Sequence, residues 1–143
     1  MYPHPAPVIS LAEASVTNAG SATARVDTRG YSRLSLILRQ STSNGVTNNL
    51  SVCKLSEGSD TNITSSTNIT GFVGDTSFTI PDADTSNPQV YVFNLDLRGR
   101  QRYIYLTASP LTTQTFTAVW LLHRAKETPV TAAQTGVALL IEG

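Results

Sequence analysis

Nucleophilic catalysis needs a base beside a serine, threonine or cysteine, and this chain of 143 residues has two histidines and one cysteine with which to build such a site. His4 sits between Pro3 and Pro5, and His123 ends the run Thr115-Phe116-Thr117-Ala118-Val119-Trp120-Leu121-Leu122. Neither stands in a recognisable Ser-His-Asp arrangement. Zinc takes mostly Cys and His ligands, and Cys53, His4 and His123 have no metal-ligand spacing. Asp27, Glu57, Asp60, Asp75, Asp82, Asp84 and Asp96 could in principle supply a glycosidase pair. All fall among turn-forming residues, and turn chemistry accounts for most of them. Asp82-Ala83-Asp84 has the opening spacing of a calcium loop but lacks the glycine and distal glutamate that complete one. No glycine loop for phosphate is present. The expectation is a protein without catalytic residues, metal ligands or cofactors.

A repeated frame is more informative. Asp27-Thr28-Arg29-Gly30-Tyr31-Ser32-Arg33 and Asp96-Leu97-Arg98-Gly99-Arg100-Gln101-Arg102 share the spacing Asp-x-Arg-Gly-x-x-Arg, and each leads into a β-rich run. An Asp carboxylate can accept backbone N–H groups two residues on, and Gly adopts turn conformations that a Cβ resists. Asp27, Arg29, Gly30, Asp96, Arg98 and Gly99 are therefore expected to build two equivalent corners, with the arginines solvated or paired with Asp.

The elements around these corners read as strands. Leu34, Leu36 and Leu38 recur at period two, with Ser35 and Arg39 on the other side. Leu50 to Leu55 is a further strand. Val90 to Leu95, apolar on both faces until Asn94, has the pattern of a central strand, and residues 115–122 have the strongest β character. Residues 56–70 are mostly polar and read as an exposed loop or hairpin, while 72–73 and 78–80 read as short β segments. Short strands at close spacing, with no helical period, predict an all-β fold: an antiparallel β-sandwich, of jelly-roll type. One domain is expected over 1–143, with a proline-rich N-terminal arm at 1–10, the sandwich at 11–128 and a C-terminal tail at 129–143. The apolar end of that tail needs a surface, on its own sheet or on another subunit.

Composition narrows the partners. Charged residues make up 14% of the chain and the formal net charge is zero, against about 25% charged in an ordinary soluble domain. Nothing here would hold nucleic acid by counterion release. No run approaches the roughly 18 apolar residues of a membrane span, and residues 1–5 lack the basic start of a signal peptide. The lone Cys53 is expected to be a small buried hydrophobe.

Several of these residues also carry a family likeness. Val26-Asp27-Thr28-Arg29-Gly30-Tyr31 with its strand, Leu55-Ser56-Glu57-Gly58-Ser59-Asp60, Ile69-Thr70-Gly71-Phe72, and Phe93 to Gly99 with Arg102-Tyr103 resemble a family of small tailed-bacteriophage virion proteins. The likeness spans about residues 25 to 125. It implies a capsid decoration or cement protein, made in the host cytoplasm and carried as a homotrimer on the outer head surface, where its partner is the major capsid protein. The likeness does not reach the two ends; their composition, a proline-rich arm and an apolar tail in a chain of low charge, makes them the expected contact segments, through Tyr2, Pro3, Pro5 and Ile9 at one end and Leu139, Leu140 and Ile141 at the other. Another virion station (tail, fibre or capsid shell) would suit the same sandwich. A carbohydrate-binding module would instead need a flat cluster of exposed aromatics, for which Tyr31, Tyr91, Tyr103, Tyr105 and Trp120 are the candidates.

Overall fold

The computed structural model describes residues 6–17, 20–41, 50–82 and 86–123. These form eight strands: β1 (Ala6–Val16), β2 (Ala22–Asp27), β3 (Arg33–Gln40), β4 (Leu50–Gly58), β5 (Thr67–Val73), β6 (Gln89–Asp96), β7 (Tyr103–Pro110) and β8 (Gln114–His123). One turn of 3-10 helix, Ile63–Ser65, precedes β5, opened by Asn62 accepting the Thr64 N–H. The strands make two four-stranded antiparallel sheets, ordered β1-β8-β3-β6 and β2-β7-β4-β5. The chain is thus an all-β antiparallel sandwich. First pairs with last and so on inward, through β1·β8, β2·β7, β3·β6 and β4·β5.

Alternation decides which side chains meet between the sheets. Buried and exposed residues alternate along β2, and buried and half-buried ones along β8. Leu34, Leu36 and Leu38 of β3 are buried beside Phe116, Ala118 and Trp120 of β8, and face Leu55, Ile104 and Leu106 from the second sheet. Trp120 has no solvent exposure. Its Nε1–H has no hydrogen-bond partner, which is uncommon for a buried donor. Cys53 is 1% exposed, and burial pushes its thiol up to about 12.

Three expectations change. Ala6 to Ser10, assigned to the arm, belong to β1, where Ala6 lies opposite Leu122 and Ile9 opposite Val119. An edge strand can carry Pro7 because one side of its backbone has no ladder to feed. Residues 56–70 form the hairpin rather than the loop, β4 running on to Gly58 and pairing with β5, but the stretch is not wholly exposed, since Ile69 is fully buried in the core. Finally, β6 is an edge strand rather than a central one. Its outward Val90 and Val92 are 59% and 58% exposed. Tyr2, Pro3, Pro5, Leu139, Leu140 and Ile141 lie outside the described residues.

Replacing Trp120 by Ala should cost about 3–5 kcal/mol through lost burial and the cavity left behind. Urea denaturation measures it, and an unchanged midpoint would contradict the core described above.

Candidate functional site

The two repeated frames form matching corners at one end of the sandwich. In the first, the Arg29 N–H donates to Asp27 Oδ1 (3.1 Å) and the Tyr31 N–H to the Thr28 carbonyl (3.1 Å). In the second, the Arg98 N–H donates to Asp96 Oδ1 (3.0 Å) and the Arg100 N–H to the Leu97 carbonyl (3.1 Å). Gly30 (φ +90°) and Gly99 (φ +77°) occupy the third position of these turns. A positive φ confined to that position defines a type II turn, which selects Gly. The repeat is therefore structural.

The corners are also clamped together. The Thr28 N–H and hydroxyl both donate to the Arg102 carbonyl, at 2.9 and 2.7 Å, and the Leu97 N–H donates to the Ser32 carbonyl at 3.0 Å. The last arginine of the second frame reaches the first aspartate of the first: Arg102 Nε and Nη2 donate to the two Asp27 oxygens, at 3.0 and 2.6 Å. The Arg102 guanidinium also lies 4.8 Å from the Tyr103 ring centroid. Asp96 instead pairs with Arg98 of its own corner and faces Arg33 in the β3·β6 register. Glu57 closes the group, accepting from Arg100 Nη1 (3.2 Å) and the Gln101 N–H (3.0 Å). Hydrogen bonds from Arg102 hold the Asp27 carboxyl below its ordinary value, and those from Arg98 do the same for Asp96. Arg29 is exposed. Among the described residues the three ion pairs all join members of this group.

A cleft of about 660 Å³ opens beside the second corner, on the outer face of the first sheet, lined by Arg33, Ser35, Asn94, Asp96 and His123. It brings together a serine and a histidine 88 residues apart, with Ser35 Oγ 3.3 Å from His123 Nε2. Sequence alone could not show this, because β3·β8 pairing creates it. The Ser35 hydroxyl donates to Asn94 Oδ1 at 2.7 Å, so its proton points away from the imidazole. Among the described residues no carboxylate bonds the His123 ring to orient it as a triad requires. The cleft can hold a polar group by hydrogen bonds, and among the described residues the serine proton is directed to Asn94. Among the described residues no three His, Cys, Asp or Glu side chains converge as a metal site would need.

No family model matches the chain, and no curated protein matches it. The reading of function therefore rests on the fold and on its surfaces. Those surfaces disfavour stacking on sugars: Trp120, Tyr91 and Tyr105 are buried, Tyr31 packs against the core, and Tyr103 lies between Arg25 and Arg102. The outer face of the second sheet is polar, with Thr23, Arg25, Asp27 and Thr107 turned outward. On the first sheet, Val119, Ile37 and Val92 form one cross-strand row, flanked by Leu121 and Val90.

Two predictions follow from the corners. Nothing lies within 4 Å of a Cβ built on Gly30 or Gly99, so substitution there meets backbone strain alone. Gly30→Val or Gly99→Val should each destabilise the fold by about 1–3 kcal/mol; Asn, which tolerates positive φ, should cost less. Thermal melts of the four variants check the order. The second concerns acid. The folded Asp27 carboxyl is lowered relative to the unfolded chain, so its contribution is present above the ordinary carboxylate value and is lost as pH falls through the lowered one. Asp27→Asn should therefore cost up to about 1 kcal/mol at neutral pH for a half-exposed pair, shrinking to nothing in acid. A gap between the two proteins that stays constant down to pH 2 would exclude this linkage.

Proposed function

We propose that the chain is a virion structural protein: a capsid decoration, or cement, protein that sits on the outer head surface and bridges subunits of the major capsid protein. The observation that carries this reading is the nested strand pairing. Eight strands paired first with last and folded into two sheets support the reading of a double Greek-key jelly roll, an architecture used by viral capsid and lectin domains. Function does not follow from a fold alone. The surfaces support the virion branch over the lectin one, because the aromatics that would stack on sugars are committed to the core or flanked by arginine. An apolar row on one face and a polar opposite face suit a protein that lies flat on a shell.

Assembly as a homotrimer belongs to the same proposal. Identical weak contacts repeated around a trimer hold firmly through effective concentration. Tyr2, Pro3 and Pro5 would meet the shell, and Leu139, Leu140 and Ile141 would meet a neighbouring subunit. Ile9 is paired with Val119 and belongs to the sandwich itself.

Undecorated heads of the phage that encodes the chain provide the test. Purified protein should co-sediment with them to a saturating ratio and raise the temperature at which they release DNA. Deleting residues 1–5, which leaves β1 whole, should weaken attachment about tenfold without changing the melting temperature. Deleting 137–143 should loosen the trimer. Full-length protein that stays in the supernatant at micromolar concentration would overturn the proposal.

A further inference from the structure

Among the described residues the sandwich has four edge strands, and three of them resist further pairing. β1 carries register shifts between Ile9 and Leu11 and between Leu11 and Ala14, and β4·β5 pairing shifts between Lys54 and Ser56. Irregularities of this kind break the ladder that another strand would need. β2 is only six residues long and turns Arg25 and Asp27 outward. β6 has none of these protections. It pairs with β3 without a shift over eight residues, and no proline or charge interrupts 89–95.

Its free side can be read from one bond. The Leu97 N–H donates to the Ser32 carbonyl, continuing the β3·β6 ladder, so the odd residues of β6 bond inward to β3. The N–H and C=O groups of Val90, Val92 and Asn94 therefore face the open edge. The same two valines are the most exposed large apolar residues described, at 59% and 58%. Below them an apolar groove of about 310 Å³, lined by Phe72, Phe78, Pro81, Tyr91 and Phe93, opens between β6 and β5.

We propose that β6 is a joint between two copies of this chain, in which the two β6 strands pair antiparallel about a two-fold axis at Val92. The edge is self-complementary in this register. Val92 meets Val92 of the second copy, and Val90 meets Asn94. The row Val119–Ile37–Val92 then continues unbroken into its symmetry mate. Sliding one step one way sets Val90 against Asp96, leaving a carboxylate beside an apolar side chain; sliding the other way sets Asn94 against Pro88, which has no N–H to give the ladder. With Val92 on the axis, each Asp96 falls opposite Pro88, away from its twin. The two-fold contact is additional to the trimer of the proposed function, resting on self-association but not on capsid binding. With three-fold contacts present the particle is a hexamer, and without them a dimer.

The full chain in solution tests the joint without any capsid. Sedimentation equilibrium should give an even number of chains, and Val92→Lys, at an exposed site, should halve the mass while leaving the β-sheet circular dichroism spectrum unchanged. Val92→Cys adds a positional test. Facing residues of a hydrogen-bonded antiparallel pair lie about 5.5 Å apart at Cα, within disulfide range. Oxidised glutathione should link Val92→Cys into a covalent dimer. Val119→Cys, separated from its twin by roughly five strand spacings or 24 Å, should stay unlinked. Cys53, 1% exposed, does not compete. An odd number of chains, no linkage, or equal linkage of both variants would overturn the joint. So would a monomer whose Val90, Val92 and Asn94 amides resist hydrogen exchange, which would give the edge to another segment or another protein.

Discussion

Register is the constraint on which this molecule depends. In a strand a slip of one residue exchanges the buried face for the exposed one. For β3 that would turn Leu34, Leu36 and Leu38 to water and bring Ser35 and Arg39 into the core. Burying three leucines contributes roughly 1.5–3 kcal/mol each before ordering costs, so the wrong register is heavily penalised. The corners act at the point where the penalty is decided. Thr28, bonded twice to the Arg102 carbonyl, fixes β2 against β7, and the Leu97–Ser32 bond fixes β6 against β3. The Asp27–Arg102 ion pair lies on the same clamp, half exposed, and exposed pairs contribute at most about 1 kcal/mol. The clamp specifies alignment; the leucines supply the stability.

Much of this was legible from local pattern because the pattern is local. Period two in 34–38 and in 115–122 marks an inward face whatever the neighbouring strands are. The Asp-x-Arg-Gly spacing marks a turn because its hydrogen bonds span only two or three residues. Position within a sheet is different, since it depends on which strands arrive on either side. β6 has apolar residues on both faces, as a doubly covered strand would, yet one face is bare. Ile69 errs the other way: its polar neighbours suggest full exposure, but the pairing of β5 with β4 carries it into the core.

The cleft and the ion pairs show the same division. Asp27 and Arg102 are 75 residues apart, and Ser35 and His123 are 88 apart. Sequence supplies the chemical types but not the proximity, which exists only because β2 lies beside β7 and β3 beside β8. Even with proximity, direction decides. A serine whose proton goes to Asn94 is a tether between strands, whereas the same serine aimed at His123 would begin to look like a nucleophile.

The scarcity of charge has a structural distribution as well as a total. The three ion pairs gather at the corner end, where Arg98, Arg100 and Arg102 meet Asp96, Glu57 and Asp27. That concentration serves the turns, and it leaves Arg39, opposite Val90, as the charged residue in the middle of the outer faces of β3, β6 and β8. The outer residues of β6 from 90 to 94 are two valines and an asparagine, beside Ile37 of β3. Edge strands in isolated proteins are usually short or carry a charge, a proline or a bulge to discourage pairing. β1, β2 and β5 each have such a device, so the fold does protect its edges in general. An unprotected β6 among protected neighbours is thus better explained as a surface kept open for contact than as an edge left bare by chance.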